Sequence, residues 1–159
     1  MNRVPSHRGF SMIEAIACVV TLSIAVPACM FPMRDAAMAR VGAMQIERAG
    51  MLAVAIAETV RADVASDSPA LGFDALANSS TYLNAAGTGL YNRLKPVSDV
   101  YAAHGFSYQV SVGPPISASG LATGDPDLDA YRWVMINVRW NSAKGARASL
   151  ITGQMVCAP

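Results

Sequence analysis

The N-terminal part of the chain contains AIACVVTLSIAVPACMFPM at residues 15–33, a run of nineteen residues without a charge. As an α-helix this run is roughly 28 Å long, close to the ~30 Å hydrocarbon core of a bilayer. Glu14 precedes the run and Arg34 follows it. The run therefore predicts a helix that crosses a membrane once.

The residues ahead of this run predict its orientation. Residues 1–9 are mostly polar, carry Arg3, His7 and Arg8, and contain no acidic residue. Positively charged flanks of a membrane helix stay in the cytoplasm. We therefore expect a cytoplasmic N-terminus, with the rest of the chain on the opposite side of the membrane.

The composition excludes several classes of protein. Of 159 residues, 53% are hydrophobic and only 14% are charged, against roughly 25% charged in an ordinary soluble domain. Twelve basic residues face eleven acidic ones, so no strong field favours nucleic acid and no such partner is predicted. Three cysteines do not make a disulfide framework. The sequence shows no catalytic motif, so we expect neither an enzyme nor a cofactor.

Three kinds of N-terminal segment could explain the apolar run. A secretory signal peptide has about 7–15 apolar residues and a small-x-small cleavage site, but this run is longer and Glu14 opens it. A lipoprotein signal would use Cys29, but Pro27 lies two residues before that cysteine and departs from the usual lipobox. The third kind is an anchor in which Glu14 itself has a role.

The motif Arg8-Gly9-Phe10-Ser11-Met12-Ile13-Glu14 resembles the cleavage motif of type IV prepilins and type II secretion pseudopilins. The usual form is Gly-Phe-Thr-Leu-(Ile/Leu)-Glu ahead of an unbroken apolar helix, so Ser11 and Met12 are mild departures. The resemblance implies that a prepilin peptidase cuts between Gly9 and Phe10 and methylates the new amine of Phe10. It also implies a protein of the bacterial inner membrane with a periplasmic head.

Glu14 needs a partner because an unpaired carboxylate at the edge of a membrane segment costs several kcal/mol. The partner we predict is the α-ammonium of Phe10 in a neighbouring subunit, since a free α-amine is mostly charged at neutral pH. Such a pair would set the axial register between subunits. The alternative is that Glu14 is simply favoured by the dipole at a helix N-terminus. By resemblance, the further partners are other pilin or pseudopilin subunits and the inner-membrane assembly platform.

The helix is predicted to continue beyond the membrane as an amphipathic half over residues 34–66. Apolar residues recur there with helical spacing, and charged residues, Asp63 among them, fill other positions. The recurring positions are Met38, Val41, Ala49, Leu52, Ile56 and Val60, with Gln45 as a polar exception. We expect this stripe to pack on the protein's own sheet.

Two prolines interrupt the predicted membrane half, residues 10–33. Pro27 and Pro32 each remove a backbone hydrogen bond, which predicts a kink or local melting of the helix. By resemblance to pilins, the two prolines are expected to allow local melting of the helix during assembly. A static kink is the alternative.

Residues 67–105 are predicted to form a loop-rich connector with one short helix, and residues 106–159 an antiparallel sheet. Alternating apolar residues predict strands at 106–112, 131–140 and 147–156, the last two paired as a hairpin. Gly113-Pro114-Pro115 is expected to stop the first strand. One face of the second strand carries Tyr131, Trp133 and Met135, so we expect something to cover part of it.

The expected fold is thus α+β, with a long N-terminal helix packed on three to four antiparallel strands, and it resembles the pilin fold. The run at 52–61 and the strand end Val138-Arg139-Trp140 are similar to minor pseudopilin I and PilV-like proteins. The resemblance implies a minor structural subunit of a type IV pilus or type II secretion pseudopilus. A single-pass or lipid-anchored binding module that never polymerises is the alternative.

One loop has the spacing of a calcium site. Asp125, Asp127 and Asp129 alternate as in a calcium-binding loop, but Ala130 and Ile136 stand where that loop needs glycine and a bidentate glutamate. Major pseudopilins bind calcium near this region, so the three aspartates are weak candidates. A solvated acidic loop is the alternative.

Isolated cysteines and a histidine complete the candidates. Cys18 and Cys29 lie roughly 16 Å apart along a helix, too far to form a disulfide within one chain. Cys157 is expected to be a free thiol or to pair with another chain. His104 is expected at the surface.

Overall fold

A computed structural model describes residues 11–68, 70–125 and 128–158 of the chain. The chain divides into two compact units, Met1–Val41 and Gly42–Pro159. The elements in chain order are helix α1 (Met12–Val64), a 3-10 helix (Asp74–Ala77), α2 (Ser79–Asn84), α3 (Leu90–Ala102), and strands β1 (Ser107–Ile116), β2 (Tyr131–Asn141) and β3 (Arg147–Cys157). The predicted α+β architecture, a long N-terminal helix with an antiparallel sheet, is confirmed.

The first unit contains the apolar part of α1. Side chains from Ser11 to Ala37 are exposed throughout. The helix is long and apolar enough to cross a membrane, with a mean hydropathy of 2.1 in its most apolar window. This agrees with the membrane helix predicted from residues 15–33.

The described residues of the second unit form a hydrophobic core from one face of α1, one face of the sheet and a few side chains of the short helices between them. Ala49, Leu52, Ile56 and Val60 recur every three or four residues and are at most 1% exposed. This confirms that the amphipathic half of the helix packs on the chain's own sheet. Burying an aliphatic side chain of this size stabilises the fold by about 1.5–3 kcal/mol.

The sheet has three antiparallel strands in the order β1-β2-β3. Val110 pairs with Ile136, and Val138 pairs with Leu150. In β2 the residues Val134, Ile136 and Val138 are fully buried, while their neighbours point to the other face. The three predicted strands and the predicted hairpin are therefore confirmed.

The prediction that Gly113-Pro114-Pro115 ends the first strand is wrong. Strand β1 continues to Ile116, with a break in register between Val112 and Pro115. A bulge can absorb prolines because they cannot donate to the ladder. β1 is also an edge strand, so one side of its backbone needs no partner within the sheet.

The connector is more helical than predicted. The sequence predicts one short helix between residues 67 and 105, but this segment contains the 3-10 helix, α2 and α3. Leu90 and Leu94, one turn apart on α3, are buried in the core. Their burial stabilises a helix that Pro96 in its middle would otherwise disfavour.

The outer face of the sheet is partly exposed. The sequence predicts that something covers part of the face that carries Tyr131, Trp133 and Met135, and the side chains of Trp133 and Met135 are 47% and 50% exposed. The Trp133 ring lies over Gly153 of the neighbouring strand, 3.4 Å from the position a Cβ would take. The contact between ring and glycine lies within the face and leaves much of it accessible.

Candidate functional site

The N-terminus of α1 carries a reciprocal cap formed by Ser11 and Glu14. The Ser11 amide donates to Glu14 Oε2 at 3.1 Å, and the Glu14 amide donates to Ser11 Oγ at 3.2 Å. This is a capping box, which satisfies two amides that have no partner inside the helix. Its signal in the sequence is the Ser-x-x-Glu spacing of Ser11 and Glu14, from which no cap was predicted.

Gly9 and Phe10, the predicted cleavage and methylation residues, lie outside the described residues. Processing at this bond and the pairing of Glu14 with the Phe10 amine therefore stay predictions. The cap is relevant to both predictions, because the Ser11 amide belongs to the peptide bond between Phe10 and Ser11. The carboxylate of Glu14 is thus bonded to the peptide group that follows Phe10 in its own chain.

The surface of the first unit is suited to an apolar environment. Large side chains such as Ile16, Val19, Ile24 and Phe31 are 56–69% exposed. A surface of this kind is compatible with surrounding lipid or other helices, since monomeric soluble proteins rarely expose large contiguous apolar patches.

The few polar side chains of this surface are satisfied within the helix. Thr21 Oγ1 donates to the Ala17 carbonyl at 2.8 Å, and Ser23 Oγ donates to the Val20 carbonyl at 2.7 Å. Polar groups need such partners in lipid, where no water is available. These two hydroxyls are thus compatible with burial in a bilayer.

Pro27 and Pro32 both lie inside α1. The helix begins before Pro27 and ends after Pro32, so the chain is helical on both sides of the two prolines. The predicted role of the two residues in a kink or in local melting stays a prediction.

A buried polar cluster in the second unit was not predicted. The sequence predicts Asp63 among the charges outside the apolar stripe of α1, but Asp63 is only 4% exposed. Arg93 donates from Nη1 to Asp63 Oδ1 and from Nη2 to Oδ2, the latter at 2.6 Å, and Tyr82 Oη donates to the same Oδ2 at 2.6 Å. The guanidinium of Arg93 also donates from Nε to the Thr88 carbonyl.

The electrostatics of this cluster follow from its burial. Desolvation and then the hydrogen bond to Asp63 raise the pKa of Tyr82 above its usual range. The hydrogen bond to Asp63 raises the pKa of Arg93. Arg93 is therefore charged and Tyr82 neutral at any physiological pH, and the cluster links α1 to α2 and α3.

The acidic loop uses Asp129 as a structural acceptor. Its carboxylate accepts hydrogen bonds from the Thr123 and Gly124 amides and from the Thr123 hydroxyl, at 2.8–3.0 Å. These bonds, led by the one from the Thr123 amide, lower the pKa of Asp129. Asp127 lies outside the described residues, and among the residues that are described no group of three or more His, Cys, Asp or Glu could hold a metal. Calcium binding with Asp125 stays a weak prediction.

The cysteines and His104 lie as predicted. Cys18, Cys29 and Cys157 are free and exposed, and His104 is exposed. The structure therefore brings none of these four residues into a common site.

No protein-family model, no curated protein and no solved structure matches this chain. The function is therefore inferred from the residues and from their geometry.

Proposed function

We propose that the chain is a minor pilin- or pseudopilin-like structural subunit. It is inserted in the bacterial inner membrane by residues 10–33, processed by a prepilin peptidase, and assembled into a type IV pilus or type II secretion pseudopilus. The observation that carries the proposal is the exposed apolar helix from Met12 to Met33, whose single carboxylate, Glu14, comes four positions after Phe10 in the sequence. The proposed role is structural rather than catalytic.

The proposed mechanism begins with cleavage, which creates a charged amine at Phe10. Glu14 Oε2 accepts the bond from the Ser11 amide, and a carboxylate has about four acceptor sites. Glu14 can therefore keep the cap of its own helix while Oε1 accepts from the Phe10 ammonium of a neighbour. In a bundle of apolar helices such a pair would spare both charges the large cost of being buried without a partner.

The test is the intact mass of the full chain purified from membranes, with and without a co-expressed prepilin peptidase. We expect a chain that starts at N-methylated Phe10 only when the peptidase is present. An N-terminus at Met1 in both samples would contradict processing and leave a plain membrane anchor. A Cys29→Ser variant is the matched control, since it is processed normally under our proposal and loses its lipid if Cys29 is a lipoprotein site.

A second candidate is a membrane-anchored binding module that does not polymerise. It is favoured by the capping box, which already satisfies Glu14 inside its own chain, and by the open outer face of the sheet. Under this alternative, removing the charge of Glu14 changes nothing beyond the helix terminus.

A further inference from the structure

A cleft of about 570 Å³ lies at one end of the sheet, next to the turn between β2 and β3. Its polar lining is Ser107 from β1, Arg139 and Asn141 from β2, and Arg147 and Ser149 from β3. All three strands thus contribute to it. Its volume falls in the range of about 300–1,000 Å³ that is typical of small-ligand sites.

The strand register brings the two arginines together. Arg139 pairs with Ser149, and Asn141 pairs with Arg147, so the arginines are diagonal neighbours on the same face. Diagonal neighbours across two strands lie about 7–8 Å apart, within reach of long side chains. Both guanidinium groups can therefore contact one ligand group in the cleft.

Both arginines keep donors available. Arg139 Nη2 donates to Gln109 Oε1 at 3.1 Å, which leaves most of its five N–H groups unused. The ion pairs found among the described residues are Arg61–Glu58 and Arg93–Asp63, and neither involves the cleft. The outer positions of the three strands carry no acidic residue, and exposed Lys144 in the adjacent turn adds a positive charge. The cleft therefore attracts anions.

The charge and the donors fit phosphate better than a single carboxylate. Guanidinium groups bind both kinds of oxyanion in a bidentate manner. Two arginines, however, match the roughly −1.5 to −2 charge of a phosphate monoester, and the hydroxyls of Ser107 and Ser149 offer donors for a third oxygen. A carboxylate would leave one guanidinium without a counter-charge.

The same face continues into an apolar surface. Trp133, Met135, Ile151 and Met155 are 47–62% exposed there. A phosphate group carried by an apolar body would contact both parts of the face. We propose that the Arg139–Arg147 cleft binds a phosphate group, borne by a lipid headgroup or by a free phosphate compound. This proposal does not depend on the proposed function.

The experiment uses the full chain in phosphatidylcholine nanodiscs. Three probes are titrated below any micellar concentration: inorganic phosphate, dihexanoyl phosphatidic acid and dihexanoyl phosphatidylcholine. Binding is followed by intrinsic fluorescence, because the chain's two tryptophans are Trp140, which lines the cleft, and Trp133, which lies on the outer face. We expect saturable binding of phosphatidic acid or inorganic phosphate and weaker binding of phosphatidylcholine.

The decisive variant is Arg139→Gln with Arg147→Gln, which we expect to weaken phosphate binding by at least about tenfold. The matched control is Arg48→Gln with Arg61→Gln, which removes the same charge from exposed positions of α1 and keeps wild-type affinity. Tighter binding of phosphatidic acid than of inorganic phosphate identifies a lipid headgroup, and equal binding identifies a free phosphate compound. Four results would each overturn the proposal. Two concern the variants: wild-type phosphate affinity in the cleft variant, or an equal loss of affinity in the cleft and control variants. Two concern the probes: phosphatidylcholine binding as tightly as phosphatidic acid, or no binding of inorganic phosphate or phosphatidic acid.

Discussion

Arg93 on α3 binds Asp63, in the last turn of α1, through two guanidinium N–H groups that meet the two oxygens of one carboxylate. Asp63 is buried, and the Arg93 side chain is 25% exposed. The residues are thirty positions apart in the chain. The contact therefore links the end of the long helix to the connector within the second unit.

Removing one partner of this pair should be costly. We expect Asp63→Ala to lower the free energy of unfolding by about 3 kcal/mol, because Arg93 then lacks its anion in a mostly buried place. Circular dichroism of the full chain in nanodiscs during denaturant unfolding measures the change. The control is Glu58→Ala, which breaks an exposed pair with a 3.4 Å contact and should cost less than about 1 kcal/mol.

Replacing both partners by apolar residues of similar size should cost much less. We expect the Asp63→Leu, Arg93→Met double variant to be more stable than Asp63→Ala, since no charge is left buried without a partner. Comparison with the single variants Asp63→Leu and Arg93→Met completes a double-mutant cycle. If the double variant loses as much free energy of unfolding as the two single variants together, the two residues do not interact.

Tyr82 should make the protein sensitive to alkali. Burial and the bond to Asp63 raise the pKa of Tyr82 in the folded state, so the unfolded state ionises first, near pH 10. The contribution of Tyr82 to stability is complete below that pH and falls as the pH rises through it. Between about pH 9 and 11, the wild type should lose more stability than Tyr82→Phe in the same unfolding assay. Parallel pH profiles would contradict the assignment.

Two glycines should respond in opposite ways to a methyl group. At Gly89 a Cβ would lie 2.6 Å from the Ala85 nitrogen and 2.7 Å from the Ala85 oxygen, so Gly89→Ala should destabilise the protein by about 1–3 kcal/mol. At Gly153 the nearest atom is Cζ3 of the half-exposed Trp133 ring, at 3.4 Å. Gly153→Ala should be neutral or stabilise by up to about 1 kcal/mol. Thermal unfolding of both variants tests this prediction. A greater loss of stability in Gly153→Ala than in Gly89→Ala would contradict it.

Ser11 and Glu14 allow the cap to be separated from the proposed pairing between subunits. Glu14→Gln keeps a side chain that serves a capping box but removes the charge. Ser11→Ala keeps the charge but removes the hydroxyl cap, at a cost of about 1 kcal/mol. We expect assembly to fail in Glu14→Gln and to persist in Ser11→Ala, measured as cross-linked oligomers at equal membrane levels. The opposite pattern would assign Glu14 to the cap alone.

The regular elements follow from local patterns in the sequence. The run without charge at residues 15–33 predicts the apolar helix, and alternation predicts the burial of Val134, Ile136 and Val138 in β2. Both patterns are readable because the side-chain periods of helix and strand are properties of a short segment. The cap between Ser11 and Glu14 is equally local, because the two residues are only three positions apart, and it could have been predicted from this spacing.

The tertiary structure alone decided the features that join distant segments. Asp63 looks like any other charge on a helix until Tyr82 and Arg93, nineteen and thirty residues further along, surround its carboxylate. Helix α3 forms despite Pro96 because Leu90 and Leu94 reach the core. The same holds for the outer face of the sheet, where the register places Arg139 beside Arg147. A local pattern states which residues share a face, but burial and pairing depend on what the rest of the chain places against that face.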